Sequence, residues 1–440
     1  MMLKEKHFFQ DISDYCLGLA KKLGATDCEI VVSNNFSESI TVRNNEVEQS
    51  ERSENLSVGL TTYINKKRSN VATSRIDKKE LSLLVERCVE MTKVTPEDPF
   101  VSMPSKEHLA KSIIDLDLYD KTNVSTEKKI FFLKEMESEA FTNKKIVNSN
   151  GCSFSESKSN FLLTNSFGFS EGYKTSMFSA ACAVVAKDQD TMETDYDFSS
   201  KRFSQDLKEA KNIGSTAANR ASRRLGAKKI NSTKLPVIFD KRVSKTFLSS
   251  LSSAVSGSAF SRGTSFLKDK LHKKIFNQNI NIFDDPLIKK AIGSQPFDSE
   301  GIENKKIQIV KNGILEEIFL DTYNSNILKM NNNGRSGGST NLFFENGAIS
   351  KEKMISEQKR AIYITDLIGR GSDIITGDYS VGASGVLIEN GELTGPVNEI
   401  TIAGNLLEMY ENLTLADDLE ILYSTNAPTI LINEMTIAGK

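Results

Sequence analysis

Asn-Gly pairs recur along the second half of this 440-residue chain and constrain its fold more than any other feature. They stand at Asn312-Gly313, Asn333-Gly334, Asn346-Gly347 and Asn390-Gly391. A type I′ hairpin turn needs a positive φ at both central residues, and Asn and Gly adopt that conformation at low cost. Flanking runs such as residues 307–310 and 314–320 alternate apolar and polar side chains, as hairpin strands do. The second half is therefore predicted to be mostly antiparallel strands, with helices over about 241–256 and 406–413.

The first half of the chain mixes helical and strand patterns. Apolar residues at helical spacing predict helices over about 8–23, 78–93 (with Asp77 as N-cap), 126–142 and from Asp206 to Gly226. Alternating runs predict strands at residues 28–33, 39–42 and 56–64, and a β-rich stretch over 146–187 with a hairpin turn at Asn150-Gly151. The predicted fold class is α+β, in which an N-terminal α/β region precedes a β-rich C-terminal domain with long antiparallel strands.

Two segments are predicted to be domain boundaries. Residues 227–234 separate the last helix of the first half from the strand at 235–239, so an N-terminal region of 1–228 is expected to precede a C-terminal domain of 229–440. Residues 95–104 carry three of the eight prolines, and proline disfavours regular structure both at its own position and at the residue before it. A further boundary inside the N-terminal region is therefore placed near residues 95–112.

Charge and hydropathy argue against several classes of protein. The chain has 56 basic and 58 acidic side chains, whereas a dedicated nucleic-acid binder is strongly basic. A membrane-spanning helix needs about 18 consecutive apolar residues, and the sequence contains no such run. The first ten residues lack the apolar stretch of a secretory signal. With five widely spaced cysteines and no CxxC, the chain is expected in the cytoplasm, without nucleic-acid or membrane partners.

Histidine usage limits the metal chemistry that the chain can perform. A helical zinc motif places two histidines one turn apart, but the three here, His7, His108 and His272, are about a hundred residues apart or more. The carboxylates of Asp284-Asp285 and of Asp298 and Glu300 can in principle hold a hard cation or perform acid–base catalysis. Turns explain both groups equally well, because Asp and Gly are common turn residues.

The helix predicted over 241–256 is unusually rich in serine. Serine is a poor residue inside a helix, because its hydroxyl competes for backbone hydrogen bonds. The small side chains that stand out are Ser249, Ser250, Ser252, Ser253, Ser256 and Gly257. They indicate either a close-packed helix face or the wall of a cavity.

Several blocks of the second half resemble the TldD/PmbA (TldE) family of peptidase-related proteins. They are residues 297–301 (FDSEG) with the hairpin at 307–315, residues 340–342 (TNL), residues 382–385 (GASG) with 388–391 (IENG) and 396–397 (PV), and residues 434–439 (EMTIAG). In the first half, residues 45–48 (NEVE) and 57–59 (SVG) match the family more loosely. The resemblance extends over nearly the whole chain.

The resemblance implies a division of labour between two kinds of family member. The TldD-like kind binds zinc through HExxxH, on the helix after the first C-terminal strand, and through a later cysteine. Here that helix contains neither His nor Glu, and no cysteine follows Cys182. The chain is therefore similar to the metal-free PmbA (TldE) kind, a pseudoenzyme inactive on its own. In this family the two kinds form a heterodimer that hydrolyses unfolded or extended peptides in an enclosed cavity.

These features predict a non-metal subunit of a TldD/TldE-type metallopeptidase, with zinc on the partner subunit and no cofactor of its own. The serine-rich helix is then expected to form a wall of the shared cavity or to pack against the partner. Two alternatives stay open. One is a self-sufficient hydrolase that uses Asp298 and Glu300 with another cation. The other is a non-enzymatic modulator that binds a different protein.

Overall fold

The computed structural model describes residues 3–369 and 371–439 of the chain. In the first half, the helices are α1 (Lys6–Lys22), α2 (Lys78–Val94), α3 (Thr126–Ala140) and α4 (Ala210–Arg224). The strands are β1 (Asp27–Arg43), β2 (Glu46–Ile64), β3 (Lys67–Thr73), β4 (Ile146–Asn165), β5 (Ser170–Glu171), β6 (Lys174–Asp188) and β7 (Thr191–Lys201). They form one antiparallel sheet in the order β3-β2-β1-β4-β6-β7, with β5 beside β4.

Two of the hydrophobic cores on this long sheet each pack against a pair of helices. Near one end, Ile30 and Val32 of β1 pack with α1 and α2. Near the other end, Ile40 and Val42 of the same strand pack with α3 and α4. Between them the strand is polar, and Glu38 forms an ion pair with the buried Lys129 of α3. The prediction of two short strands at 28–33 and 39–42 was therefore wrong, because the backbone ladder continues where the apolar alternation stops.

The Asn150-Gly151 hairpin turn was also wrongly predicted. These residues lie inside β4, whose pairing with β6 shifts register between Ser149 and Gly151. Gly151 has a φ of +105°, so the pair forms a β-bulge, which uses the same backbone freedom as a turn. The turn between β1 and β2 is made instead by Asn44 and Asn45, with φ of 53° and 63°.

The second half contains the strands β8 (Thr233–Phe239), β9 (Ile282–Asp284), β10 (Ile307–Lys311), β11 (Ile314–Leu315), β12 (Leu342–Phe344), β13 (Arg360–Ile368), β14 (Asp378–Glu389), β15 (Glu392–Asn405), β16 (Leu413–Leu415), β17 (Thr425–Asn426) and β18 (Ile430–Ala438). Its helices are α5 (Lys241–Ala254), α6 (Gly257–Ser261), α7 (Thr322–Leu328), α8 (Lys351–Ser356) and α9 (Leu406–Glu411). One sheet has the order β15-β14-β13-β8-β18-β16, and β15 also pairs with β18, which closes the sheet on itself. The other sheet has the order β11-β10-β9-β12-β17.

The Asn-Gly predictions were half correct. Asn312-Gly313 joins β10 to β11 and Asn390-Gly391 joins β14 to β15, as predicted. The other two pairs lie in loops. A Cβ on Gly347 would lie 1.9 Å from the Leu415 carbonyl oxygen, so that glycine permits a close backbone approach.

The structure confirms the α+β class and shifts one helix start. The fourth helix begins at Ala210, after a separate 3₁₀ turn at Ser204–Asp206, and its N-cap is Glu209 and not Asp206. Within the described residues, no helix has the length and apolarity that crossing a bilayer requires. The boundary at 228/229 and the one near residues 95–112 stay predictions.

Candidate functional site

Helix α5 follows directly from β8 and is anchored on its apolar side. Asp240 caps its first turn by accepting a hydrogen bond from the Arg242 backbone N–H at 2.8 Å. Phe247 and Leu251 are buried, and the Phe247 ring packs edge-on against Phe239 with 4.8 Å between ring centres. The helix predicted over 241–256 is confirmed, with its end at Ala254. Burial of this face fixes which side chains the opposite face presents.

Three of the predicted serines line an open cleft of about 500 Å³. Ser249 and Ser253 are exposed there, and Ser250 donates a hydrogen bond to the Ser372 hydroxyl at 2.8 Å. The other wall of the cleft comes from the end of β13 and the start of β14, with Leu367 and Tyr379 among its residues. The cleft thus combines hydroxyl groups, which can both donate and accept hydrogen bonds, with apolar and aromatic surface.

The other predicted small residues have structural contacts. Ser252 donates to the Ser339 hydroxyl at 3.1 Å, and Ser256 caps α6 by accepting from the Ala259 N–H at 3.3 Å. A Cβ on Gly257 would lie 2.8 Å from the Phe319 carbonyl oxygen, closer than real side chains approach. The six predicted residues therefore divide into three that line the cleft and three that hold the helix end in place.

The donor atoms of this cleft do not fit a zinc ion. Zinc in proteins is bound by cysteine thiolate, histidine nitrogen and carboxylate oxygen, and α5 presents serine hydroxyls instead. His272, the histidine of the second half, is exposed, and its Nδ1 lies 3.3 Å from the Glu316 carboxylate. Among residues 3–369 and 371–439, no group of three or more His, Cys, Asp or Glu side chains is arranged to hold a metal.

Asp298 is a buried carboxylate that accepts hydrogen bonds from the backbone of nearby loops. It accepts hydrogen bonds from the backbone N–H groups of Glu300 and Ile302, both at 3.0 Å, and of Ser336 at 2.9 Å. Burial, reinforced by the neighbouring Glu300 carboxylate, raises the pKa of Asp298 to about 7. These bonds fix the turn after Phe297, whose ring packs against Phe169 of the N-terminal region with 5.3 Å between ring centres.

Glu300 is used in the same way. It accepts hydrogen bonds from the Thr322 hydroxyl at 2.6 Å and backbone N–H at 3.0 Å, and from the Asn332 amide at 3.2 Å. Burial also raises the pKa of Glu300. Asp298 and Glu300, two of the four carboxylates that the sequence offered for catalysis, therefore join loops, and each is surrounded by donors from the chain itself.

Asp284 forms a buried ion pair that the sequence did not predict. Arg335 donates to it from Nε at 2.6 Å, and Thr340 donates from both its backbone N–H and its hydroxyl. Both ionic side chains are fully buried. The glycines around Arg335 thus belong to the loop that places this guanidinium beside Asp284. Asp285 accepts from the Leu287 N–H at 3.0 Å, in the turn that its position before Pro286 predicts.

A second opening beside α5 was missed. A cavity of about 400 Å³ lies between β7 and the first turns of the helix, and Arg242 and Lys245 line it. Its basic residues are distant in sequence, from β7 to α5, so only the fold brings them together. The single local signal was the spacing of Lys241, Arg242 and Lys245 around one helical turn.

Family models match most of the chain. They are described as PmbA/TldA metallopeptidase domain 1, which matches residues 28–92, the central domain, which matches residues 119–225, and the C-terminal domain, which matches residues 232–439. Helix α5 and both openings beside it thus fall mainly within the part matched by the C-terminal model.

Individual proteins match nearly end to end. The metalloprotease PmbA homolog of Buchnera aphidicola subsp. Acyrthosiphon pisum is 32% identical over 438 residues, covering 99% of this chain and 98% of that protein. The metalloprotease PmbA of Escherichia coli O157:H7 is 33% identical over 414 residues, covering 94% of this chain and 92% of that protein. A solved Bacteroides thetaiotaomicron structure, named for a candidate modulator of DNA gyrase, has a TM-score of 0.92 at 26% identity, covering 98% of this chain and 99% of that one.

Proposed function

Because this chain belongs to the PmbA/TldD metallopeptidase family, we propose that it is the non-metal subunit of a two-subunit peptidase whose zinc is held by the partner. One observation carries the proposal. Helix α5, where TldD-like members are expected to carry HExxxH, presents Ser249, Ser250 and Ser253 to its cleft. A zinc-bound water reaches a pKa near 7 and becomes a hydroxide at neutral pH, whereas a serine hydroxyl does not activate water. Hydrolytic water must then be activated by another polypeptide.

The role left to this subunit is to bind and position the substrate. The substrate is an unfolded or extended peptide, whose main chain offers a donor and an acceptor at every residue. The hydroxyls of Ser249, Ser250 and Ser253 each donate their proton within the chain, so their lone pairs supply acceptors for peptide N–H groups along one side of the cleft. The five-stranded C-terminal sheet ends at β17 without closing, which adds the option of strand pairing there, and such pairing gives affinity with little sequence selectivity.

The remaining parts of the proposal concern assembly and location. The partner is a TldD-like subunit that carries HExxxH, and the two chains form a heterodimer that encloses the peptide. We place the complex in the cytoplasm, and the five cysteines support this because all are buried and free. No nucleic-acid or membrane partner is part of the proposal.

Reconstitution tests this function. The chain and an HExxxH-bearing relative from the same genome are purified separately, and cleavage of a fluorogenic unfolded peptide is followed for each one and for the mixture. We expect turnover only in the mixture, together with a heterodimer in size-exclusion chromatography. Replacing the HExxxH glutamate by glutamine should abolish turnover while the heterodimer persists. Turnover by this chain alone would overturn the proposal.

A modulator without peptidase activity is the second candidate. The name of the solved Bacteroides relative favours it. A pull-down from the native organism separates the two, because recovery of a different protein without any HExxxH-bearing relative would favour the modulator. The carboxylate hydrolase has less support, since Asp298 and Glu300 are occupied by donors of their own loops. Activity restored by Mg²⁺ or Mn²⁺ and lost in Asp298→Ala would revive it.

A further inference from the structure

The second cavity beside α5 is bounded by both halves of the chain. Strand β7, the last strand in its sheet, forms one wall, and the first turns of α5 and the segment 420–427 form the others. Six cationic side chains line it, Lys201, Lys208, Arg220, Lys241, Arg242 and Lys245. We call this opening of about 400 Å³ the basic cavity.

The charges of the basic cavity do not balance. Three carboxylates line it, from Asp197, Asp240 and Glu420, and Asp195 outside the lining pairs with Arg242 at 2.6 Å, which leaves an excess of two positive charges. Asp197 already pairs with Lys208 at 3.0 Å and with Arg220 at 2.7 Å. Glu420 pairs with Lys241 at 2.6 Å. Asp197 and Glu420 therefore already neutralise cations other than Lys245.

Two of the six cations, Lys201 and Lys245, form no ion pair within the described residues, and Lys245 is the one that contacts an aromatic ring of the cavity. Among the residues that the structure describes, no carboxylate lies within ion-pairing distance of its ammonium group. Its nearest aromatic neighbour is Tyr423, whose ring centre is 4.2 Å from Nζ. Burial and the nearby Arg242 lower the pKa of Lys245, which reflects the cost of a half-buried charge beside a like charge. Such groups are normally paired, so an anion in the cavity would stabilise it.

An apolar surface lies next to this cation. The rings of Phe198 and Tyr423 stack with 5.5 Å between their centres and 30° between their planes, and both line the basic cavity. A ligand that satisfies both features carries an oxyanion and, next to it, a flat or apolar group. Inorganic ions satisfy only the first.

We propose that the basic cavity binds a small organic oxyanion, with its carboxylate or phosphate paired to Lys245 and its apolar part against Phe198 and Tyr423. The free carboxyl end of a peptide and a small organic phosphate share this chemistry. The site differs from the serine cleft, because the cavity begins at the first turn of α5 and the cleft lies along Ser249 to Ser253. Anion binding in the basic cavity can therefore be tested independently of the peptidase proposal.

Calorimetric titration of the full chain at low salt tests the site with four probes. They are N-acetylphenylalanine, its C-terminal amide, phenyl phosphate and inorganic phosphate. We expect one or both organic anions to bind at least about tenfold more tightly than the amide and than inorganic phosphate, as a charge-assisted bond and an apolar contact together imply. Which of the two acids binds identifies the source of the oxyanion. No binding of either organic anion, or binding of both no tighter than that of the amide and of inorganic phosphate, would overturn the proposal.

Variants locate the binding. Lys245→Met should weaken the organic anion by about tenfold or more, since one charge-assisted bond is lost. Lys245→Arg keeps the charge and should retain most of the affinity, which separates charge from folding defects. Lys353→Met is the matched control, because Lys353 lies on α8, outside the cavity. Unchanged affinity in Lys245→Met would contradict the assignment.

Discussion

Two sets of polar side chains in the second half of the molecule contrast sharply in their surroundings. Asp284, Asp298 and Glu300 are buried, and each accepts several hydrogen bonds from the chain itself. Ser249 and Lys245 on α5 face openings, and their own chain leaves part of their bonding capacity free. Asp298 and Glu300 belong to one of the most recognisable sequence blocks, yet all three carboxylates hold loops together. The polar groups that the chain leaves partly available lie instead on α5, whose serines already stand out in the sequence.

The largest effect is expected from breaking the buried Arg335–Asp284 pair. Arg335→Met leaves an uncompensated carboxylate with no access to water, and should lower the free energy of unfolding by about 3–5 kcal/mol. Urea denaturation followed by circular dichroism measures it. Lys353→Met removes a cation from an exposed pair with Glu357 and should change stability by less than about 1 kcal/mol. Equal effects of the two variants would remove the contrast between structural and surface charges.

The pH dependence of stability should come next in size. Burial, followed by repulsion from Glu300, raises the folded-state pKa of Asp298 to about 7, whereas an unfolded Asp titrates near 3.9. The folded state therefore holds this proton more tightly, and its stabilising contribution is lost as pH rises from about 4 through 7. Over that range the contribution amounts to roughly 2–4 kcal/mol.

Asp298→Asn provides the test. The variant should flatten the decline in unfolding free energy between pH 4 and 7, whatever its effect on absolute stability. Burial also raises the pKa of Glu29 to about 7. The decline in unfolding free energy with pH that remains in Asp298→Asn should therefore become smaller still when Glu29→Gln is added. A slope unchanged by Asp298→Asn would show that this carboxyl titrates as an exposed one does.

The two faces of α5 give the smallest and most specific contrast. Ser244 is buried and donates to the Pro428 carbonyl at 2.7 Å, so Ser244→Ala should cost about 1–2 kcal/mol of stability. Ser249 is exposed and bonds only to its own helix backbone, so Ser249→Ala should stay within about 0.5 kcal/mol. In the reconstituted complex, Ser249→Ala and not Ser244→Ala should raise the KM for peptide. The reverse pattern would show that the exposed serine face of α5 serves packing and not peptide binding.

Local patterns in the sequence were enough for some of these features. The Asp77 cap of α2 was predicted and is confirmed by its hydrogen bond from the Glu80 N–H at 3.1 Å. The bounds of α5 also followed from its apolar stripe, because the periodicity and the cap lie within one segment. The serine face followed in part, since sequence spacing cannot say which small side chains meet a neighbouring loop.

Long-range pairing accounts for what the sequence left hidden. Nothing near Arg335 indicates that Asp284, 51 residues earlier, is its partner. The polar middle of β1 suggested a break, although Lys129 from α3 neutralises Glu38 there. The basic cavity needs β7 and α5 side by side, and Asn150-Gly151 satisfies a bulge as well as a turn. In each case the local sequence is compatible with more than one structure, and tertiary contacts determine which one forms.

The proposed function requires that this chain hold no hydrolytic metal of its own. Elemental analysis of the purified chain, after exposure to zinc and gel filtration, measures this directly, with peptide turnover recorded on the same sample. We predict zinc well below one equivalent and no turnover, and one equivalent with turnover once the HExxxH-bearing subunit is added. Stoichiometric zinc and peptide cleavage in the chain alone would contradict the account.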